Sequence, residues 1–324
     1  QAANPDDHVF EVTADYVNIS GFTVEGGTGL LRAGIDINAS YCNISNNNCL
    51  DNFFGITLSY SDNIMISNNT LCENSFGGVR LVSSSNNVIS NNTICKNDYG
   101  ISIGGSSNDN IISYNIIYEN DIGVKDLPPT NSYNNTISHN IICKNNLYGV
   151  RVFGEISSCW SGSGYIISSN EICENNGAGI ALSWTSNTIT NNTINSNNGH
   201  GIELVFSSSN NTITGNNVSS NNGSGIQLES MWSSYSLNNN TISGNKVSSN
   251  KYDGIFLGSW SSNNTITGNT VSSNTRHGIH LYRSRNNTIT GTVMNSDGIF
   301  IEVDSGLQYW NTPVSYTHLT LPTN

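Results

Sequence analysis

The chain has 324 residues, 35% of them hydrophobic and only 10% charged, with a formal net charge of −12 from 23 acidic against 11 basic side chains. Nothing in it resembles the clustered Lys and Arg that track a phosphate backbone, which argues against nucleic-acid binding. No apolar run reaches the roughly 18 residues a membrane helix needs.

Gln1 opens the chain without methionine or an apolar signal region, and the first residues already read as strand. The sequence is therefore expected to be a fragment or processed form of something longer. From Gly34 onward one motif recurs: glycine, an aliphatic, any residue, an aliphatic. Its copies are Gly34-Ile35-Asp36-Ile37, Gly55-Ile56-Thr57-Leu58, Gly78-Val79-Arg80-Leu81 and Gly100-Ile101-Ser102-Ile103. A degenerate copy follows at Gly123-Val124, with Asp126 where an aliphatic is due. Further copies begin at Gly149, Gly179, Gly201, Gly225, Gly254, Gly278 and Gly298, most of them 20–24 residues apart.

A second motif lies within each period: Ile, Ser or Thr, any residue, Asn. It yields a column at Asn47, Asn69, Asn92, Asn115, Asn140, Asn170, Asn192, Asn216, Asn245 and Asn269. Five residues after each stands another asparagine, from Asn52 to Asn274. Such columns mark a solenoid. A period this short is too small for a helical crossover, but it fits three short strands joined by corners and stacked about 4.8 Å apart. The predicted fold is an all-β, right-handed parallel β-helix of about twelve coils over residues 1–310. Asparagine suits a sharp left-handed corner, and its amide can bond along the stack. The glycines mark a third corner, where a side chain would clash or φ is positive. Longer coils place surface insertions at 125–133, 154–164 and 229–237. The five prolines of the whole chain suit long ladders.

The run Asp15-Tyr16-Val17-Asn18-Ile19-Ser20-Gly21-Phe22-Thr23-Val24, with the later Asn-Asn-Thr-Ile-Thr-Gly-Asn repeats, resembles the right-handed β-helix repeat family. Its pattern is similar to NosD-type proteins and to archaeal surface-protein β-helix domains. That resemblance covers about Val9 to Val303 and implies an extracellular or cell-surface location. It implies little about function, because the fold also carries lyases, hydrolases and epimerases. The segment 311–324 breaks the repeat. Its Val314-to-Thr323 stretch resembles peptides translated from sequencing-adapter DNA and is expected to be non-native.

Enzymes on this scaffold need clustered carboxylates. Gly199-His200-Gly201 matches a tripeptide of polygalacturonases, but the coil before it reads Gly177-Ala178-Gly179, without an acid. No tight Asp and His constellation of the epimerase kind stands out, and no aspartate column that would hold calcium. The reading leans against catalysis, with no catalytic residue, metal or cofactor expected. An aromatic series does stand out: Trp184, Phe206, Trp232 and Trp260 fall shortly after the leucine of their Gly-Ile-x-Leu motif, and Tyr282 extends them. Rings in a row can stack on sugar faces. His200, Asp253 and His277 precede glycines on nearby coils and could add polar contacts, though as a metal site their spacing is poor. The expected role is a non-catalytic module that binds an envelope or matrix polysaccharide. The alternatives are a polysaccharide lyase, hydrolase or epimerase, a passive spacer or surface-layer element, and an ice binder through the Thr-Ile-Thr array. Arg80 and Arg151 are expected to be solvated. Cys72, Cys95, Cys143 and Cys173 share a column and are expected to stack as free thiols.

Overall fold

The computed structural model describes residues 1–127, 131–152, 163–230, 236–302 and 319–320. The chain divides into two compact units, 1–166 and 167–324. Each is a right-handed parallel β-helix, and no helix occurs among the described residues. A coil gives one strand to each of three parallel sheets. Phe54–Ser59 lies in sheet 1, Met65–Ser67 in sheet 2 and Thr70–Cys72 in sheet 3. In the first unit sheet 1 runs from Phe10–Val12 to Tyr148–Val152, and in the second from Ile180–Leu182 to Ile299–Glu302.

Register follows the motif. Ile56 pairs with Val79, Val79 with Ile101 and Ile101 with Val124, so one aliphatic column lines the interior of sheet 1. Ile66 and Ile89 do the same in sheet 2, and Leu71 and Ile94 in sheet 3, all fully buried. Alternation in a strand turns each neighbouring side chain outward.

Both predicted asparagine columns are buried corner ladders. Asn92 shows the pattern: its Nδ2 donates to Ile66 O at 3.0 Å, Ser90 O at 3.0 Å and Asn115 Oδ1 at 3.0 Å. Its Oδ1 accepts the backbone N–H and side-chain amide of Asn69. The left-handed residue is not the ladder asparagine but the one before it, such as Asn68, Asn91 or Glu73. A third ladder, unread in the sequence, includes Asn87, Asn110 and Asn135 at the corner between sheets 1 and 2. Its signal was present as the second asparagine of Asn-Asn-Thr-Ile. In the second unit, the column through Asn250 and Asn274 ends on Asp297, whose carboxylate accepts Asn274 Nδ2 at 2.7 Å.

Most of the repeated glycines clash rather than turn, though Gly298 stands in open space. Gly78 has no positive φ, yet a Cβ there would lie 2.6 Å from Ile94 Cγ2 and 2.7 Å from Gly100 O. The thiol expectation is overturned: Cys72 and Cys95 are bonded, 4.5 Å apart at Cα. They are direct partners in register, so the coil rise itself supplies a separation that a disulfide accepts. Cys143 and Cys173 are disulfide-bonded too. Cys42 and Cys49 are free and buried, and burial pushes the Cys49 thiol up to about 12. Cys159, Trp232 and most of 311–324 lie outside the described residues, although Leu319–Thr320 pairs in parallel with Met294 and Asn295.

Candidate functional site

Three corners and one sheet face carry the chemistry of the second unit. Trp184, Phe206 and Trp260 all adopt positive φ at the corner after a sheet 1 strand. Trp260 is 48% exposed, whereas Trp184 and Phe206 are half-buried. The Trp184 indole N–H is buried without a partner among the described residues. Tyr282 ends the strand Ile279–Tyr282 and lies half-buried, with the Arg283 guanidinium 5.0 Å from its ring centre.

The histidines sit at the opposite end of the sheet 1 strands. The strand Ile202–Leu204 lies between His200 and Phe206, whereas the Tyr282 ring stands 6.4 Å from the imidazole of His280. His200 is half-buried, its Nδ1 accepting the Ser224 backbone N–H at 3.0 Å, and burial lowers its pKa. That is the same corner bond His8 makes with Ala33 in the first unit. His200 also lines an open groove of about 520 Å³, together with Gln227, Glu229, Tyr252, Asp253 and Phe256. Arg276, another lining residue, lies 5.7 Å over the Tyr252 ring.

Beside this groove the expectation of poor spacing fails. Asp253 is buried, and its Oδ1 meets His277 Nδ1 at 2.8 Å and the His277 backbone N–H at 3.1 Å. Its Oδ2 meets Nδ1 of His280 at 3.2 Å. Sequence reading missed His280 because it fills the variable position of Gly278-Ile279-His280-Leu281. That position faces outward, and its column runs Glu203, Gln227, Phe256, His280, Phe300. Glu203 is half-buried, and burial, then the Glu229 charge, raises its carboxyl to about 7.

The same column in the first unit runs Asp36, Thr57, Arg80, Ser102, Lys125, Arg151. The expectation that Arg80 and Arg151 are solvated fails here. Arg80 and Arg151 are half-buried, lying 5.1 Å over Phe54 and 5.6 Å over Tyr148, while Lys125 lies 4.2 Å over Tyr99. The aromatic rings flanking the column hold their long side chains against the sheet. On sheet 2 the threonines bond along their own column, as Thr290 does to Thr267 at 3.0 Å.

Similarity to solved structures is at the level of fold. The Azotobacter vinelandii mannuronan C-5 epimerase AlgE6 A-module matches with a TM-score of 0.71 at 14% identity, covering 95% of this chain and 92% of that one. The periplasmic alginate epimerase AlgG gives 0.56 at 16%, covering 93% and 78%. The Agl-KA catalytic domain gives 0.65 at 14%, covering 90% and 61%. No curated protein sequence matches. The family model described as "Periplasmic copper-binding protein (NosD)" matches residues 1–164, 129–240 and 234–320. With those matches spanning nearly all of its length, the chain belongs to the NosD family.

Proposed function

We propose that this protein is a glycan-binding β-helix of the cell envelope or exterior, and that the groove beside Asp253 is its primary contact. One observation carries the reading. The groove joins the rings of Tyr252 and Phe256 to the amides of Asn198, Asn222 and Gln227 and the carboxylate of Glu229. Apolar faces edged by paired donors and acceptors are what a sugar ring recognises. Support also comes from the fold's relatives, several of which are named for mannuronan or alginate, and from the periplasmic description of the family. The aromatic row of Trp184, Phe206, Trp232, Trp260 and Tyr282 is a second contact surface in this proposal.

A glycan array followed by affinity measurement tests it. Tyr252→Ala should weaken retention about tenfold, or about 1.4 kcal/mol, with unchanged melting. Weakening by Trp260→Ala but not by Tyr252→Ala would move the site to the aromatic row. Retention indifferent to both variants would leave a spacer.

One observation favours the alternative of catalysis on an acidic polysaccharide. A carboxyl held near 7, as Glu203 is, can act as acid or base at neutral pH. Turnover of a uronan that disappears in Glu203→Gln while binding persists would establish it.

A further inference from the structure

The corner before Gly254 and Gly278 holds more than a sugar contact needs. Asp253 and His280 are 2% and 7% exposed, so a carboxylate and an imidazole are withdrawn from water side by side. Burial of such groups is costly unless they are paired or coordinate a metal. The Asp253 carboxylate meets Nδ1 of both histidines, yet Nε2 of His280 is buried without a hydrogen-bond partner among the described residues, with Glu302 Oε2 standing off at 3.9 Å. One ligand atom from each of Asp253, His277 and His280 can be chosen so that all lie within 4.8 Å of one another. Ligands about 2.0–2.2 Å from a shared ion stand about 3.3–3.6 Å apart in a tetrahedron. Small side-chain shifts would therefore close the set around an ion. The imidazole planes are already held. His277 stacks on Phe300 at 4.6 Å and 11°, and His280 meets Phe256 edge-on at 5.0 Å.

The geometry points to a mononuclear site for a divalent transition-metal ion at Asp253, His277 and His280. Two imidazoles and one carboxylate suit copper(II) or zinc, with copper(II) favoured in intrinsic affinity. That donor set fits the copper named in the family description, while the residue assignment comes from this chain alone. Three protein ligands leave a coordination position for water or for a donor oxygen of a bound molecule. The site does not depend on the glycan reading.

The test uses the full chain, stripped with chelator and titrated with copper(II) alone and, separately, zinc(II) alone. One ion per chain is expected, with nitrogen hyperfine structure in the copper spectrum and a rise in melting temperature. His277→Ala, chosen because His277 is partly exposed, should weaken affinity at least about tenfold, the least that even a supporting residue carries. Asp253→Asn keeps the side-chain shape and should do the same, with circular dichroism confirming the fold of both. His200→Ala and a variant lacking the Cys42 and Cys49 thiols should bind as the parent does. Absence of saturable binding, or equal affinity in parent, His277→Ala and Asp253→Asn, overturns the assignment. Because no sugar is present, neither result bears on glycan retention.

Discussion

A ladder asparagine does what no other side chain can do at its corner. It donates twice to backbone carbonyls and accepts twice from the coil before, all without water. Asn140 is buried, with Nδ2 bonded to Ile112 O at 2.9 Å and Ser138 O at 3.0 Å, and Oδ1 serving Asn115. Asn140→Ala should lower the unfolding free energy by about 1–3 kcal/mol, since it leaves buried partners unmet, and chemical denaturation reads this directly. Asp126 is the opposite case, a lone acid in the aliphatic column beside Ile103, receiving the Tyr165 hydroxyl at 2.9 Å. Burial raises its carboxyl from 3.8 to about 8. The folded state therefore holds this proton when the unfolded chain has lost it, and stability falls as pH rises between about 4 and about 8. Asp126→Asn should flatten that decline, seen as a smaller drop in the urea midpoint across the window. The ladders were legible because their offsets never vary. His280 was not, because its position in the motif accepts any residue and only a partner 27 residues away gives it meaning.

At the scale of elements, strands were legible from alternation, while corners were half legible. The glycines of the first unit lie inside sheet 1 strands such as Gly77–Val82 rather than at a corner, and of the two causes offered for them, crowding against the next coil's carbonyl is the one found. Gly78→Ala should therefore destabilise by about 1–3 kcal/mol, as overpacking does, rather than stabilise as a permissive Gly→Ala would. A melting curve gives the sign. The cysteine column was found and its chemistry misjudged, since side chains that point the same way on adjacent coils still meet at the coil rise. Reducing the Cys72–Cys95 bond should cost about 2–4 kcal/mol, measured as the shift in denaturation midpoint between wild type and Cys72→Ser with Cys95→Ser.

Within each unit, the described strands bond to the strands one coil before and one coil after. Stability in such a chain is a sum of neighbour terms. Hydrogen exchange should make this visible: Gly78→Ala is expected to lose protection over 54–127 and keep parental protection over 179–282. Uniform loss would show that the chain unfolds as one cooperative block. The same architecture explains why the sites were hard to read. The groove takes its lining from coils about a repeat apart, so His200, Tyr252 and Arg276 meet only when the columns are aligned with their insertions in place.

The amide columns also have a polarity, as a polymer has a growing end. Rungs such as Asn92 and Asn250 send their backbone N–H and one side-chain amide bond forward to the next Oδ1, so the column can be ended by any group that accepts and need not give. Asp297 is such a group, taking both the N–H and the side-chain amide of Asn274. Replacing it with asparagine would restore an onward donor and turn a terminator into one more repeat unit. A designer wishing to lengthen this solenoid would splice there.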